Sequence, residues 1–332
     1  MISVRSMQRR ALVTGAGGFI GSHLVEALVR RGDSVRALVR YNARGDRGAL
    51  EQLPSEVLSQ VEVVAGDLTD PFFTRELVRG CDVAFHLASL IAIPYSYQCA
   101  SQVFSNNLLS TLHVAQACLD AGGARMVHTS TSEVYGTAQF VPITEAHPLV
   151  GQSPYAASKI AADQCVESFV RSFGLRAVTV RPFNTYGPRQ STRAVLPTIL
   201  TQVLAGQALQ LGKLTPTRDL VNVADTVRGF MLAAERDEAL GRTVQLATGR
   251  EISVGDLAAL CMRVLGTTVA IVSAEERLRP AASEVERLLG DPSRAAELLG
   301  WRAEVSLEDG VARFAAWMRD NLGRYRPGEY QR

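Results

Sequence analysis

Apolar positions in the first half of the chain follow two alternating rhythms. Continuous aliphatic runs at 11–14, 34–39, 61–65, 83–87, 126–130 and 177–181 read as strands. Between them, apolar residues recur at three- and four-residue spacing over 19–31, 72–79, 98–121 and 154–173, the mark of amphipathic helices. Fully apolar strands alternating with helices predict a parallel sheet covered on both faces, a doubly wound α/β architecture. Asp70-Pro71 and Ser153-Pro154 sharpen two helix starts, each setting a capping residue before a proline at the first helical position. Beyond Pro182 the rhythm changes. Gly, Pro and Arg crowd 187–218, and helices near 224–236, 254–265 and 306–320 mix with short strands. The expected division is a sheet domain from 1–183 and about 219–250, and a smaller α+β region from about 184–218 and 251–323 that contacts substrate. A polar tail, expected to be mobile, follows at 324–332.

Composition narrows the function classes. With 332 residues, 47% of them hydrophobic, the chain has ample length to bury a core. Thirty-five basic against thirty-three acidic residues leave +2, so no broad field draws nucleic acid or an anionic membrane. Cys81, Cys99, Cys118, Cys165 and Cys261 are odd in number and form no C-x-x-C, which argues against a disulfide framework or a structural zinc. The five histidines lack metal-ligand spacing, so no metal is expected. No apolar run approaches the roughly 18–20 residues that span a bilayer, and 1–10 lack a signal core, so the expectation is a cytoplasmic protein. One count stands out: only Lys159 and Lys213 are lysines, against thirty-three arginines.

Gly15, Gly18 and Gly21 give G-x-x-G-x-x-G spacing directly after the first strand, with Phe19 and Ile20 at the opening of the first helix. Side chains there would block a diphosphate from the backbone amides and the positive helix end. In this context the motif points to a Rossmann-type dinucleotide site. An acid at the end of the second strand would bond the adenosine 2′-hydroxyl of NAD, and an arginine there would accommodate the 2′-phosphate of NADP. The strand ends on Arg40, which tilts the expected cofactor from NAD to NADP. Asp67, before Leu68, stands where it can receive the adenine amino group or simply shape a turn.

The segment 130–136 follows the fifth strand, and Tyr155 and Lys159 follow on a helix. Residues at i and i+4 share a helix face, so both point into one cleft. A free tyrosine, with a pKa of about 10, is a poor base at neutral pH. A nearby ammonium and an oxidised nicotinamide both favour phenolate, and lysine suits that task as a compact charge with rotatable donors.

Together with 86–88 and 181–188, these motifs resemble the extended short-chain dehydrogenase/reductase family over nearly the whole chain. Within it, 86–97, 39–44 and 214–219 are similar to nucleotide-sugar 4,6-dehydratases, especially those acting on NDP-GlcNAc in bacterial legionaminic-type acid pathways. The resemblance implies cofactor contacts from Gly15, Gly18, Phe19, Ile20, Gly21, Arg40, Asp67, Leu68, Leu87, Ala88, Tyr155 and Lys159. It implies that Thr131 bonds the sugar 4-hydroxyl beside Tyr155, and that Glu133 is the base for C5. Many sugar dehydratases carry Thr-Asp-Glu here; Ser132 gives instead the Thr-Ser-Glu pattern of GDP-mannose 4,6-dehydratases, leaving Glu133 to serve both C5 and the C6 hydroxyl.

Toward substrate, the resemblance places Asn184, Arg218 and Arg279 at the phosphates or sugar, Asn107 in support of an active-site water network, and His86 as structural. It also implies a homodimer through the helices 98–121 and 154–173. A 4-epimerase on the same scaffold needs Tyr155 and Lys159 but no glutamate base. A UDP-glucuronate decarboxylase shares Thr-Ser-Glu but carries Arg after the lysine, where this chain has Ile160. A non-enzymatic NAD(P) sensor would lose the Tyr/Lys pair. Lys213 has no assigned role.

Overall fold

A computed structural model describes residues 9–278 and 280–329. Seven parallel strands form its main sheet: β1 (Arg10–Thr14), β2 (Ser34–Arg40), β3 (Val61–Gly66), β4 (Val83–His86), β5 (Arg125–Thr129), β6 (Ala177–Pro182) and Thr243–Leu246. Their spatial order is Thr243–Leu246, β6, β5, β4, β1, β2, β3. Strand succession reverses between β1 and β4, so the Rossmann-type switch point opens at the carboxyl ends of those two strands.

The continuous apolar runs have a direct cause: side chains alternate between two buried faces. Ala11 and Val13 of β1 pack in one core cluster with Leu24, Val25 and Leu28 of the helix Phe19–Arg31, and with Phe230 and Leu246. Leu12, between them, joins the opposite cluster with Val114 and Cys118 of the helix Ala100–Asp120 and Val166 of the helix Pro154–Phe173. A third cluster, including Ile199, Leu257, Cys261, Phe314 and Met318, lies in the C-terminal region. Its helices Val195–Leu204, Val254–Leu265 and Leu307–Asn321 are accompanied by short strand pairings such as Leu209–Leu211 with Ile271–Ser273.

The helix expected over 98–121 is Ala100–Asp120, and a short helix not foreseen in the sequence, Ile93–Gln98, precedes it, the two divided at Cys99 with φ −129° and ψ 49°. The stretch 187–218 is not irregular throughout: Val195–Leu204 is a helix with every residue from Leu196 to Val203 buried. In the tail, Tyr325 donates its hydroxyl to the Gln190 carbonyl (3.1 Å) and packs edge-on against Trp317. Residues 330–332 lie outside the described residues. Among the described residues no helix is long and apolar enough to cross a membrane.

Candidate active site

The glycine loop sits at the switch point. Gly15 has φ +67°, and a Cβ there would lie 2.8 Å from the Ala88 amide nitrogen. A Cβ on Gly21 would press into the Gly15 carbonyl and Ala16 Cα. The helix Phe19–Arg31 begins at Gly18 with no side-chain cap, so its positive end is open to an anion. Thr14 Oγ1 accepts from the Leu87 and Ala88 amides (3.1 Å each), fastening β1 to the segment after β4. With both lone pairs so used, Thr14 donates to His86 Nδ1 (3.0 Å), and His86 Nε2–H donates to Thr111 Oγ1 (3.1 Å). Burial is the main cause that holds His86 well below its ordinary range, and the charge of Lys159 adds to it, so it is a neutral structural pin.

Arg40 is exposed at the end of β2. Asp67 lies just past the end of neighbouring β3, and its Oδ1 accepts from the Thr69 amide (2.9 Å) and hydroxyl (2.8 Å). The Thr69 amide is the first cause holding this carboxyl below its usual range, and the charge of Arg40 adds to it. Leu68 is buried, and its carbonyl accepts from His113 Nδ1–H (2.8 Å). The cradle fits a dinucleotide: no Cβ can occupy it, the helix end is uncapped, and buried Ser89 Oγ and Thr129 Oγ1 have no protein partner.

Thr131 begins the single turn Ser132–Tyr135, its Oγ1 accepting from the Glu133 amide (3.2 Å). Ser132 is buried and Glu133 half-buried. Ser153 Oγ caps the helix Pro154–Phe173 by accepting from the Ala156 amide (3.1 Å). That cap places Tyr155 in the first turn, where its phenol hydrogen-bonds Thr131 and feels the charge of Glu133. Thr131, Glu133 and Tyr155 are thus brought together, with Lys159 one turn on and also buried.

Burial pushes the Tyr155 phenol well above its usual range; the Thr131 hydrogen bond opposes this, and Glu133 and Asp163 add to the rise. The protein alone thus favours the phenol, which leaves the oxidised nicotinamide a part in forming the phenolate. Lys159 itself is pushed down to about 8 by burial, with Asp163 opposing.

Asn107 braces this helix. Its Oδ1 accepts from the Leu90 amide (2.8 Å), while Nδ2 donates to the Leu90 carbonyl (3.1 Å) and Ser158 Oγ (3.0 Å). Ser158 Oγ in turn donates to the Tyr155 carbonyl (2.7 Å).

On the substrate side, Asn184 Oδ1 is buried without a protein partner. Arg218 donates Nη1 to the Thr217 carbonyl (2.8 Å) and stands 3.8 Å from Glu284. Next to it, buried Asp219 accepts from the amides of Thr248 (2.9 Å) and Gly249 (3.0 Å). Arg279 lies outside the described residues. Lys213 forms an exposed pair with Glu286 (2.9 Å).

A family model described as GDP-mannose 4,6 dehydratase matches residues 12–314. The chain belongs to that family. A UDP-glucose 4-epimerase of Mycolicibacterium smegmatis is 32% identical, covering 94% of this chain and 99% of its own. A dTDP-glucose 4,6-dehydratase of an Actinoplanes species is 30% identical, with 94% and 98% covered. Among solved structures, the dTDP-glucose 4,6-dehydratase of Streptomyces venezuelae, determined with NAD bound, superposes with TM-score 0.86 at 32% identity, covering 95% of this chain and 98% of its own. The chain is an extended short-chain dehydrogenase/reductase of the nucleotide-sugar 4,6-dehydratase type.

In this member of the family a charged network lies beneath the helix Pro154–Phe173, and the sequence reading missed it. Asp163 Oδ2 accepts from Ser130 Oγ (2.8 Å), Arg181 Nε (3.1 Å) and Arg181 Nη2 (2.9 Å), while Oδ1 accepts from His128 Nε2–H (3.1 Å). Arg181 Nη1 donates to the Tyr135 hydroxyl (3.1 Å), which donates to Gln245 Oε1 (3.0 Å). The available signal was spacing: Tyr155, Lys159 and Asp163 continue one i, i+4 row on the buried side of the helix.

Proposed function

We propose that the protein is an NAD(P)-dependent nucleotide-sugar 4,6-dehydratase that converts an NDP-hexose, NDP-GlcNAc in our reading, to its 4-keto-6-deoxy form. The juxtaposition of Thr131, Glu133 and Tyr155 carries this reading, because a 4-epimerase has no use for the glutamate. The glycine loop, Phe19, Ile20, Leu87, Ala88 and Lys159 would hold the cofactor, with Asp67 and Leu68 at its adenine and Arg40 at its ribose. Bound NAD(P) would supply a hydride acceptor and donor and, when oxidised, a positive charge that favours the Tyr155 phenolate.

Tyr155 takes the 4-hydroxyl proton while Thr131 holds that oxygen. Once C4 is a ketone, the C5 hydrogen is acidic and Glu133 removes it. Glu133 then gives that proton to the C6 hydroxyl, which departs as water and leaves a C5–C6 double bond. The hydride taken from C4 would return from the cofactor to C6 while C5 takes a proton from solvent, which completes the 4-keto-6-deoxy sugar. With Ser132 in place of a second carboxylate, one residue does both tasks. Asn184, Arg218 and Arg279 would meet the diphosphate or sugar, arginine being suited to paired contacts with phosphate oxygens.

Incubation with UDP-GlcNAc, GDP-GlcNAc, GDP-mannose and dTDP-glucose in deuterated water tests the reading. Dehydration gives a product lighter by water and deuterated at C5. An isomer of unchanged skeleton would instead establish the 4-epimerase reading, which the Mycolicibacterium relative favours. In our reading the enzyme acts as a homodimer in a reducing cytoplasm, consistent with its five free cysteines.

A further inference from the structure

We propose that Asp163 is a positioning residue for Lys159: its buried carboxylate keeps that lysine an ammonium in a site that burial would otherwise neutralise. The geometry supports this on three counts. Asp163 follows Lys159 by one helical turn on the same row, and both side chains are buried. The carboxylate is fixed from two strands, by His128 and Ser130 at the end of β5 and by Arg181 on β6. Its hydrogen bonds come from groups that favour the anion, and Asp163 is held below the usual carboxylate range despite burial, first by His128 and then by Arg181 and Lys159.

Every titratable group facing the pair has a definite state. His128 donates Nε2–H to Asp163 and leaves Nδ1 without a partner, the pattern of a neutral ring. His86 stacks on it at 5.9 Å and is also neutral. Arg181 is a permanent cation lying 5.1 Å over the Tyr135 ring. Tyr155 is a buried phenol, and Glu133 acts on it from the turn after β5. One carboxylate therefore serves two cations, Arg181 and Lys159. A buried lysine can lose its charge where an arginine would keep it, so the lysine at 159 needs a fixed counter-charge.

The inference rests on Lys159 belonging to the cofactor site, yet its test needs no turnover. Because Lys159 and Lys213 are the only lysines, protein labelled with [ε-13C]lysine shows two signals, which a Lys213→Arg variant assigns. In the full-length protein the Lys159 signal should titrate near pH 8. Asp163→Asn should move that midpoint down by about one to three pH units, the usual effect of losing an adjacent opposite charge. Asp163→Glu should restore it, and Arg181→Met, which removes the other cation that Asp163 serves, should raise it. Lys213 should not move. An unchanged Lys159 midpoint in folded Asp163→Asn overturns the proposal. If that variant does not fold, Arg181→Met decides, a rise supporting and an unchanged midpoint refuting. Loss of nucleotide-sugar turnover in the wild type would count against the dehydratase reading and leave this titration intact.

Discussion

At Gly21 the absence of a side chain is a packing requirement as much as a binding one. Alanine there would drive its methyl into the Gly15 carbonyl, so Gly21→Ala should cost about 1–3 kcal/mol by overpacking and weaken dinucleotide binding. Thermal unfolding and a fluorescence titration with NAD would show both losses; unaltered binding would remove the glycine loop from the site. At Tyr155, the Phe variant should bind nucleotide sugar normally and lose about 10²–10⁴-fold in turnover, the range for one proton-transfer group. Arg40→Ala separates the cofactors. It should weaken NADP by about tenfold or more, as loss of a charge-assisted bond does, and leave NAD unaffected; equal effects on both would end the NADP tilt. The identities of Tyr155 and Lys159 were legible because their spacing is local. The upward shift of the phenol was not, since it depends on burial by segments distant in sequence.

Among the elements, the helix Phe19–Arg31 does more than present its open end. Its outer side holds the loop after Asn184–Tyr186. His23 Nε2–H donates to the Pro188 carbonyl (2.9 Å), and Arg189, at φ +67°, pairs with Glu26 at 2.5 Å. A non-glycine residue in the left-handed region is strained by roughly 1–2 kcal/mol, and the ion pair and His23 contact hold it. Burial, then the charge of Arg189, pushes His23 down to about 4 from its ordinary 6.5. The folded state therefore disfavours the protonated ring. Between pH 6.5 and 4 the unfolded chain binds more protons, so stability should fall as pH drops through that window, by at most about 3 kcal/mol. Urea unfolding at pH 7, 5.5 and 4 checks this. His23→Gln, which cannot titrate, should lose that part of the slope, and an identical slope would exclude His23 as its source. The sheet order and its helices follow from periodicity, whereas this latch joins residues 163 positions apart and carries no local signature. The same limit explains the missed Asp163 network, built from two strands and a helix.

For the molecule as a whole, the surface of two adjacent helices points to self-association. The helix Ala100–Asp120 carries no charged residue before Asp120, and its outward arc holds Phe104, Leu108, Leu109 and Leu112 among serines. Phe104 and Leu109 are 37% and 38% exposed, unusual for large apolar groups on a helix that could have faced water with charges. The outer arc of Pro154–Phe173 beside it is uncharged over its first half, with Ala157, Ala161, Gln164 and Cys165, and ends in the exposed Glu167–Arg171 pair. A helix of this length is about 30 Å long, so two such pairs meeting across a two-fold axis could bury the roughly 1,200 Å² or more that a stable interface needs. Phe104→Glu would set an unpaired charge within that contact and should dissociate the dimer by at least about a hundredfold, since an uncompensated buried charge costs several kcal/mol. Sedimentation velocity at micromolar concentration reads the outcome: wild type at twice the 35.9 kDa chain mass, the variant at the chain mass. A wild type that sediments at the chain mass would refute the interface. Tyr155, Lys159 and Asp163 occupy the inner side of the same helix whose outer side would form this contact. The monomeric variant should therefore lose thermal stability first, while its Lys159 titration midpoint stays where the dimer has it.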